Sequence, residues 1–567
     1  MTLTISESGK SDVAVDRERI VAGIAVALII GWLLLAVALP LSALFVKSVE
    51  NAAGDFVGLE NFRHYFANPV LATSILNSVG VALLVTFIVT PLAFTFAYAL
   101  TRTTTPGRRL FHAMALLPIF APSLLPAISL IYLFGNQGIL KGALLGHPIY
   151  GALGIVIAQI IYCFPHALTI LITALSLADA RLYEAADAMG STRRRIFMTV
   201  TLPGARYGLI SAAFVVFTLV ITDFGVAKVI GGQFNMLATD VYKQVMGQQN
   251  FQMGAVVGLI LILPAILAFA VDRLIQRRQV ALLSARAVPF TPKSDRNRDA
   301  ALFLYCLVVC GMIVGVIGVA VWASFITYWP YNMALTFNNY VFTNFDVGGW
   351  KPYFTSVAMA GVVAVVGTAI VFTGAYLVEK GRGFAAARTG LQFLAMMPMA
   401  VPGLVLGLSY IFFFNHPANP LGGIYGTMAI LVLSTVIHLY TVPHLTALTA
   451  LKQIDPGLEA VGQSLKVSQP VTFLRVILPV CLPTILRIAS YFFMNAMTTI
   501  SALVFLYSAD TKVATVSVVL LNDNAMLGPA AAMSVLIVAT SAGVVALQWL
   551  AMRGLLSKTQ GWRGGAV

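Results

Sequence analysis

Within 567 residues, few side chains stand where they could do chemistry. Asp223, in Thr222-Asp223-Phe224-Gly225, is the clearest charge inside an apolar run. A carboxylate at mid-span costs about 2.5–3.5 kcal/mol on insertion scales, so it should face a cavity or a partner rather than lipid. Near the end of a span the cost falls, and the same residue can serve as a structural cap. Both roles are open to Asp223. A later stretch, Met497-Thr498-Thr499-Ile500-Ser501, is rich in hydroxyls and uncharged. One carboxylate opposite hydroxyls suits a cationic or ammonium-bearing solute better than a bare anion. Asn77 and Ser78 are further polar candidates, for the solute path or for hydrogen bonds between helices.

Other chemistries lack their residues. There is no GxxxxGK[ST] sequence, hence no backbone cradle and Lys for nucleotide phosphates. Gly381-Arg382-Gly383 with Ala386 fits a loose GxGxxA pattern but has no preceding strand. The seven His are scattered, with no HExxH or close metal set. His166 and His444 each follow a Pro and suit packing or capping better than ligation. Cys306 and Cys310 lie four residues apart on one helix face, and small packing residues are the plainer reading of a pair without CxxC. No nucleophile constellation stands out, so a membrane-embedded enzyme would lack its catalytic cluster.

The elements that must hold these residues are membrane helices. Hydrophobic residues make up 59% of the chain and charged ones only 10%, with mean hydropathy +0.90. That composition belongs to an all-α polytopic membrane protein. The net charge of +14 and pI near 9.7 raise the question of nucleic acid. Most Lys and Arg fall in alternate loops, so the excess reports topology and implies no nucleic-acid partner. Apolar runs long enough to cross a bilayer fall at 20–46, 71–101, 109–135, 150–178, 207–231 and 253–271. A charged linker, 272–299, follows. Six more runs lie at 300–326, 354–379, 389–415, 422–450, 480–506 and 530–552. The first run is far longer than a signal-peptide core and reads as an uncleaved anchor. Twelve spans place both termini and the linker in the cytoplasm.

The two sets of six repeat. Leu117-Pro118, Pro122 and Tyr132 recur as Met397-Pro398, Pro402 and Phe412; Pro165-His166 recurs as Pro443-His444. Thr173-Ala174-Leu175 with Asp179 recurs as Thr449-Ala450-Leu451 with Asp455, and Phe197 with Leu202-Pro203 as Phe473 with Leu478-Pro479. The separation stays at about 276–280 residues, which apolar composition alone does not produce. Residues 1–271 and 300–567 are therefore two six-span halves of like orientation, expected to be related by a pseudo-twofold axis along the membrane normal.

Between the fourth and fifth runs lies a polar segment, 180–203, containing Glu184-Ala185-Ala186, then Gly190, then Leu202-Pro203. Ala and Glu favour helix, Gly190 ends it, and Arg193, Arg194 and Arg195 hold it in the cytoplasm. Another reading is an amphipathic helix lying on the membrane. The pattern resembles the signature loop of the inner-membrane permeases of binding-protein-dependent ABC importers. The resemblance implies a coupling helix that docks into a groove on a separate ATPase subunit, with Glu184, Ala185, Ala186, Gly190, Leu202 and Pro203 at the contact. Two ATPase subunits, carrying ATP and Mg, and a periplasmic solute-binding protein are the implied partners, with no cofactor in this chain. In the second copy, 456–479, Ala460 stands at the Glu position, Lys466 at the Gly position, and Glu459 one place early. We expect unequal halves.

On the opposite face, Phe56-Val57-Gly58-Leu59-Glu60-Asn61-Phe62 also resembles permeases of this family, with Leu335-Thr336-Phe337-Asn338-Asn339-Tyr340 its weaker counterpart. Chains with both permease halves resemble ferric-iron and 2-aminoethylphosphonate permeases. Stretches such as Leu133-Phe134-Gly135-Asn136-Gln137-Gly138 and Gln244-Val245-Met246-Gly247-Gln248-Gln249-Asn250-Phe251-Gln252-Met253-Gly254 look like the latter. The expectation is a bacterial inner-membrane importer subunit for 2-aminoethylphosphonate or a related phosphonate, with ferric iron as alternative. A twelve-span secondary transporter shares this topology, but ion coupling usually places more ionisable groups within the spans.

Overall fold

The structure is a computed structural model that describes residues 6–176, 179–282, 288, 290–381, 383–465 and 467–559. Arg382 and Lys466 of the motifs above, and Leu177 and Ala178 at the end of the run 150–178, lie outside the described residues. Helices dominate. Among the described residues, nine are long and apolar enough to cross a membrane, and three further pairs satisfy that test only as bent units.

Those three pairs revise the reading of straight spans. Run 109–135 divides into Arg108–Phe120 and Leu124–Phe134, bent by 100°, and run 389–415 into Ala385–Ala400 and Gly403–Phe414, bent by 110°. The cause is the repeated proline. Ala121 and Val401, just before Pro122 and Pro402, are extended because a following proline disfavours the helical region. Run 422–450 starts later, at Met428, and bends by 56° between His438 and Thr441. The fifth run of each half also ends sooner than its hydropathy suggests. The helices stop at Thr222 and Thr498, and the apolar residues beyond form a separate short helix, Gly225–Ile230, and a series of turns. Apolar composition continues through these breaks, which is why it does not reveal them.

Packing divides the chain into two compact units, each drawing on both repeats. One comprises Met1–Leu44, Phe354–Lys512 and Ala539–Val567; the other comprises Phe45–Tyr353 and Val513–Val538. In the second, helices Pro69–Arg102, Ala152–Ser176, Leu202–Thr222 and Phe251–Leu282 form the main bundle, and Arg296–Ser324 lies against Leu124–Phe134. In the first, Ser6–Leu33 lies on Ala385–Met396, and Thr441–Lys452 packs against Leu478–Thr498. The sequence repeat and the packing thus partition the chain differently. The opening helix of each repeat leaves its own repeat and joins the other's helices.

The repeat is visible contact by contact. Phe197 sits in a π-helical turn, Phe197–Thr201, with its ring 6.1 Å from Phe94 and 5.9 Å from Tyr98. Phe473 opens the matching turn, Phe473–Ile477, with its ring 6.2 Å from Phe372 and 4.5 Å from Tyr376. Asn61 donates from Nδ2 to the carbonyls of Ser48 and Glu50 at 2.9 and 2.8 Å, and Asn339 donates to those of Ser324 and Ile326 at 3.1 and 2.7 Å. Each Asn ties the end of an opening helix to the segment that follows it.

Candidate functional site

The polar loop folds as a nine-residue helix, Ala180–Ala188. It begins four residues before Glu184, because Asp179 is the cap: its Oδ1 accepts from the Arg181 N–H at 3.1 Å. It ends as expected. Gly190 takes φ +68°, and Gly190 and Ser191 donate back to the carbonyls of Asp187 and Ala186 at 2.9 and 3.0 Å. Tyr183 and Ala186 turn inward, and Tyr183 donates to Thr201 Oγ1 at 3.2 Å. Glu184, Ala185 and Asp187 face outward. So do Leu182, 59% exposed, and Met189, 76% exposed. Leu202 and Pro203 open the next helix.

The second copy keeps this construction while losing the motif. Helix Pro456–Ser464 follows Asp455, whose Oδ1 accepts from the Gly457 N–H at 2.7 Å. Glu459 lies on that helix. Val461 and Leu465, the counterparts of Ala185 and Met189, are 58% and 70% exposed. Burying such apolar surface on a partner is favourable and needs no particular charge.

Asp223 caps the short helix Gly225–Ile230. Its Oδ2 accepts from the Val226 N–H at 2.8 Å and from Gln159 Nε2 at 2.9 Å, and Ser123 and the Gly225 N–H add further hydrogen bonds. Gln159 is buried and also accepts from Cys163 Sγ at 3.6 Å. Reasoning from the sequence missed Gln159 and Ser123. The signal was present, since Gln159 is the one amide in its apolar run and Ser123 follows the breaking proline.

The remaining polar candidates are engaged locally. Thr222 Oγ1 donates to the Thr218 carbonyl at 2.8 Å and Thr498 Oγ1 to that of Met494 at 3.2 Å, while Thr499 follows as the C-cap residue. Asn77 donates to the Asn235 carbonyl at 2.9 Å, and Ser78 accepts from the Leu237 N–H at 2.8 Å. These two residues pin the loop before helix Leu237–Tyr242. His166 lies against the Tyr162 carbonyl at 3.2 Å, and His444 against Gln392 Oε1 at 3.0 Å. All four Cys are free thiols. Among the described residues, no three His, Cys, Asp or Glu gather into a metal-binding group.

Residues 89–280, which include the first loop, match the family described as "Binding-protein-dependent transport system inner membrane component". The ferric transport system permease protein FbpB of Actinobacillus pleuropneumoniae is 29% identical over 82% of this chain and 70% of its own length. The putative ferric transport system permease protein FbpB 1 of Haemophilus influenzae is 27% identical over 84% of this chain and 76% of its own. The putative 2-aminoethylphosphonate transport system permease protein PhnU of Salmonella choleraesuis is 25% identical over 42% of this chain and 87% of its own.

Proposed function

We propose that this chain, which belongs through residues 89–280 to the family of inner-membrane components of binding-protein-dependent transport systems, is the permease of an ATP-driven importer with both permease repeats in one polypeptide. One observation carries the reading: an Asp-capped helix with outward apolar side chains occurs at equivalent places in both repeats, Ala180–Ala188 and Pro456–Ser464. Short amphipathic helices of this kind lay their exposed anchors into a hydrophobic groove on a partner. Two ATPase subunits supply those grooves, and they bind the nucleotide and its magnesium. Their closure moves the two helices and opens the path alternately to either side, while a periplasmic binding protein delivers the solute at the opposite face. The basic loops, and with them both termini, lie in the cytoplasm.

Ferric iron is the cargo this reading favours. The two ferric permeases align with 82% and 84% of the chain, and so across both repeats, whereas the 2-aminoethylphosphonate permease aligns with 42%. 2-Aminoethylphosphonate is the second reading. It is supported by the stretches that look like those permeases and by Asp223, although that carboxylate is already bonded to Gln159 and Val226.

The test is uptake in proteoliposomes with and without the ATPase and binding protein. Transport by the chain alone would exclude the importer reading. Glu184→Lys should abolish uptake while leaving membrane insertion intact, and undiminished transport would argue against docking at this helix. Parallel assays with labelled ferric iron and labelled 2-aminoethylphosphonate decide the cargo.

A further inference from the structure

The charged stretch between the repeats reads as a tether, yet its last part is fastened along the first coupling helix. The Val288 carbonyl accepts from the Ala180 N–H at 2.9 Å, and the Val288 N–H donates to Asp179 Oδ1 at 3.3 Å. Next, the ring of Phe290 lies 4.6 Å from that of Tyr183. The buried guanidinium of Arg102 sits over both rings, 4.6 Å from Phe290 and 5.1 Å from Tyr183, and donates to the carbonyl of Leu175. Lys293 meets Asp187 at 2.6 Å, and that carboxylate raises the affinity of its ammonium for the proton. Asp295 pairs with Arg193, just beyond the coupling helix, and also caps helix Arg296–Ser324 through the N–H groups of Asn297 and Arg298. Finally, the Asp299 carboxylate accepts from the Thr104 side chain.

These fastenings run in chain order from one end of the coupling helix to the first turn of the second repeat. The exposed ion pairs contribute little individually. The Tyr183–Phe290–Arg102 stack is the anchor, because it is shielded and joins three segments. We propose that Val288 and residues 290–299 form a strap that carries movement of the Ala180–Ala188 helix into the Arg296–Ser324 span. The first coupling helix thereby drives the opening span of the other repeat as well as its own. This deepens the importer reading and rests on it.

The experiment uses the full chain with its ATPase and binding protein in proteoliposomes. Phe290→Ala, and separately replacement of 288–295 by Gly and Ser at equal length, leave ATPase retention and basal hydrolysis unchanged. Both lower binding-protein-stimulated hydrolysis and uptake by about threefold to thirtyfold, the range over which residues on a coupling route alter coupling. Lys293→Asp, which lies off the docking helix, lowers them less because the pair is exposed, and adding Asp187→Lys restores them, a rescue that general loss of structure would not allow. Normal stimulation and uptake in both strap variants would overturn the proposal. So would loss of the ATPase from the complex, since the strap would then be part of the docking surface. Failure of the importer reading appears separately, as wild-type transport without an ATPase.

Discussion

Ser501 Oγ stands 2.7 Å from where a Cβ on Gly403 would lie, and the first repeat holds the same contact with the residue types exchanged: Ser123 lies against Gly225. In each repeat one side of the contact must be glycine for the other to carry the hydroxyl. Gly225 also begins the short helix that Asp223 caps, so the contact fixes where that helix starts.

Gly225→Ala should therefore destabilise the protein by about 1–3 kcal/mol, the usual cost of forcing a methyl into a filled space. Ser123→Gly in the same chain should recover only part of that loss, because it removes the obstructing oxygen but also its hydrogen bond to Asp223, and Leu124 Cδ2 still lies 3.1 Å from the added methyl. Thermal unfolding in detergent checks both. An unaffected Gly225→Ala variant would mean that Ser123 rotates aside at no cost.

The two Asn clamps differ in burial. Asn339 is buried, and its amide serves two carbonyls; Asn61 does the same from a half-exposed position. Removing a hydrogen-bonding partner from a buried group costs about 1–3 kcal/mol, and less where water can replace it. Asn339→Ala should accordingly lower the melting temperature more than Asn61→Ala. Equal shifts, or the reverse order, would contradict the burial argument.

These clamps also mark how far the sequence could be read. Proline, histidine and aspartate at constant separation announced two repeats, and Glu184 through Gly190 announced a helix and its end, because each signal rests on local chemistry. The breaks after Thr222 and Thr498 were hidden, since apolar residues continue past them and hydropathy has no term for direction. Val288 and residues 290–299 were hidden for a different reason. Val288, Phe290 and Lys293 meet partners more than a hundred positions away, and no period or motif encodes such a meeting. Nor could spacing show that each opening helix packs with the opposite repeat, which is a choice among apolar surfaces of similar composition.

Asp223 separates a cap from a solute ligand. Asn is as good a cap as Asp, whereas Ala forfeits about 0.5–2 kcal/mol of helix stability. Asp223→Asn should keep most of the uptake and most of the stability, because its amide oxygen still accepts from Val226. Asp223→Ala should lower the melting temperature. Full stability with abolished uptake in the Asn variant would instead show that the charge itself acts on the solute.

An ion pair joins the two repeats. Lys228, on the helix that Asp223 caps, reaches Asp523 at 3.1 Å, and its ammonium lies 5.2 Å from the Tyr242 ring centroid. Asp523 ends helix Ala514–Asp523 of the second repeat, so the pair ties two short helices together within one compact unit. The side chains are 24% and 36% exposed, between the surface case, where pairs contribute little, and the buried case, where a lost partner is costly. Lys228→Glu should thus destabilise by about 1–2 kcal/mol, through both the lost attraction and the new repulsion. Adding Asp523→Lys should restore most of it. Because water screens such a pair only partly, moderate salt should narrow the difference between single and double variants without abolishing it. A double variant no more stable than Lys228→Glu alone would show that the Tyr242 ring, rather than Asp523, holds the lysine in place.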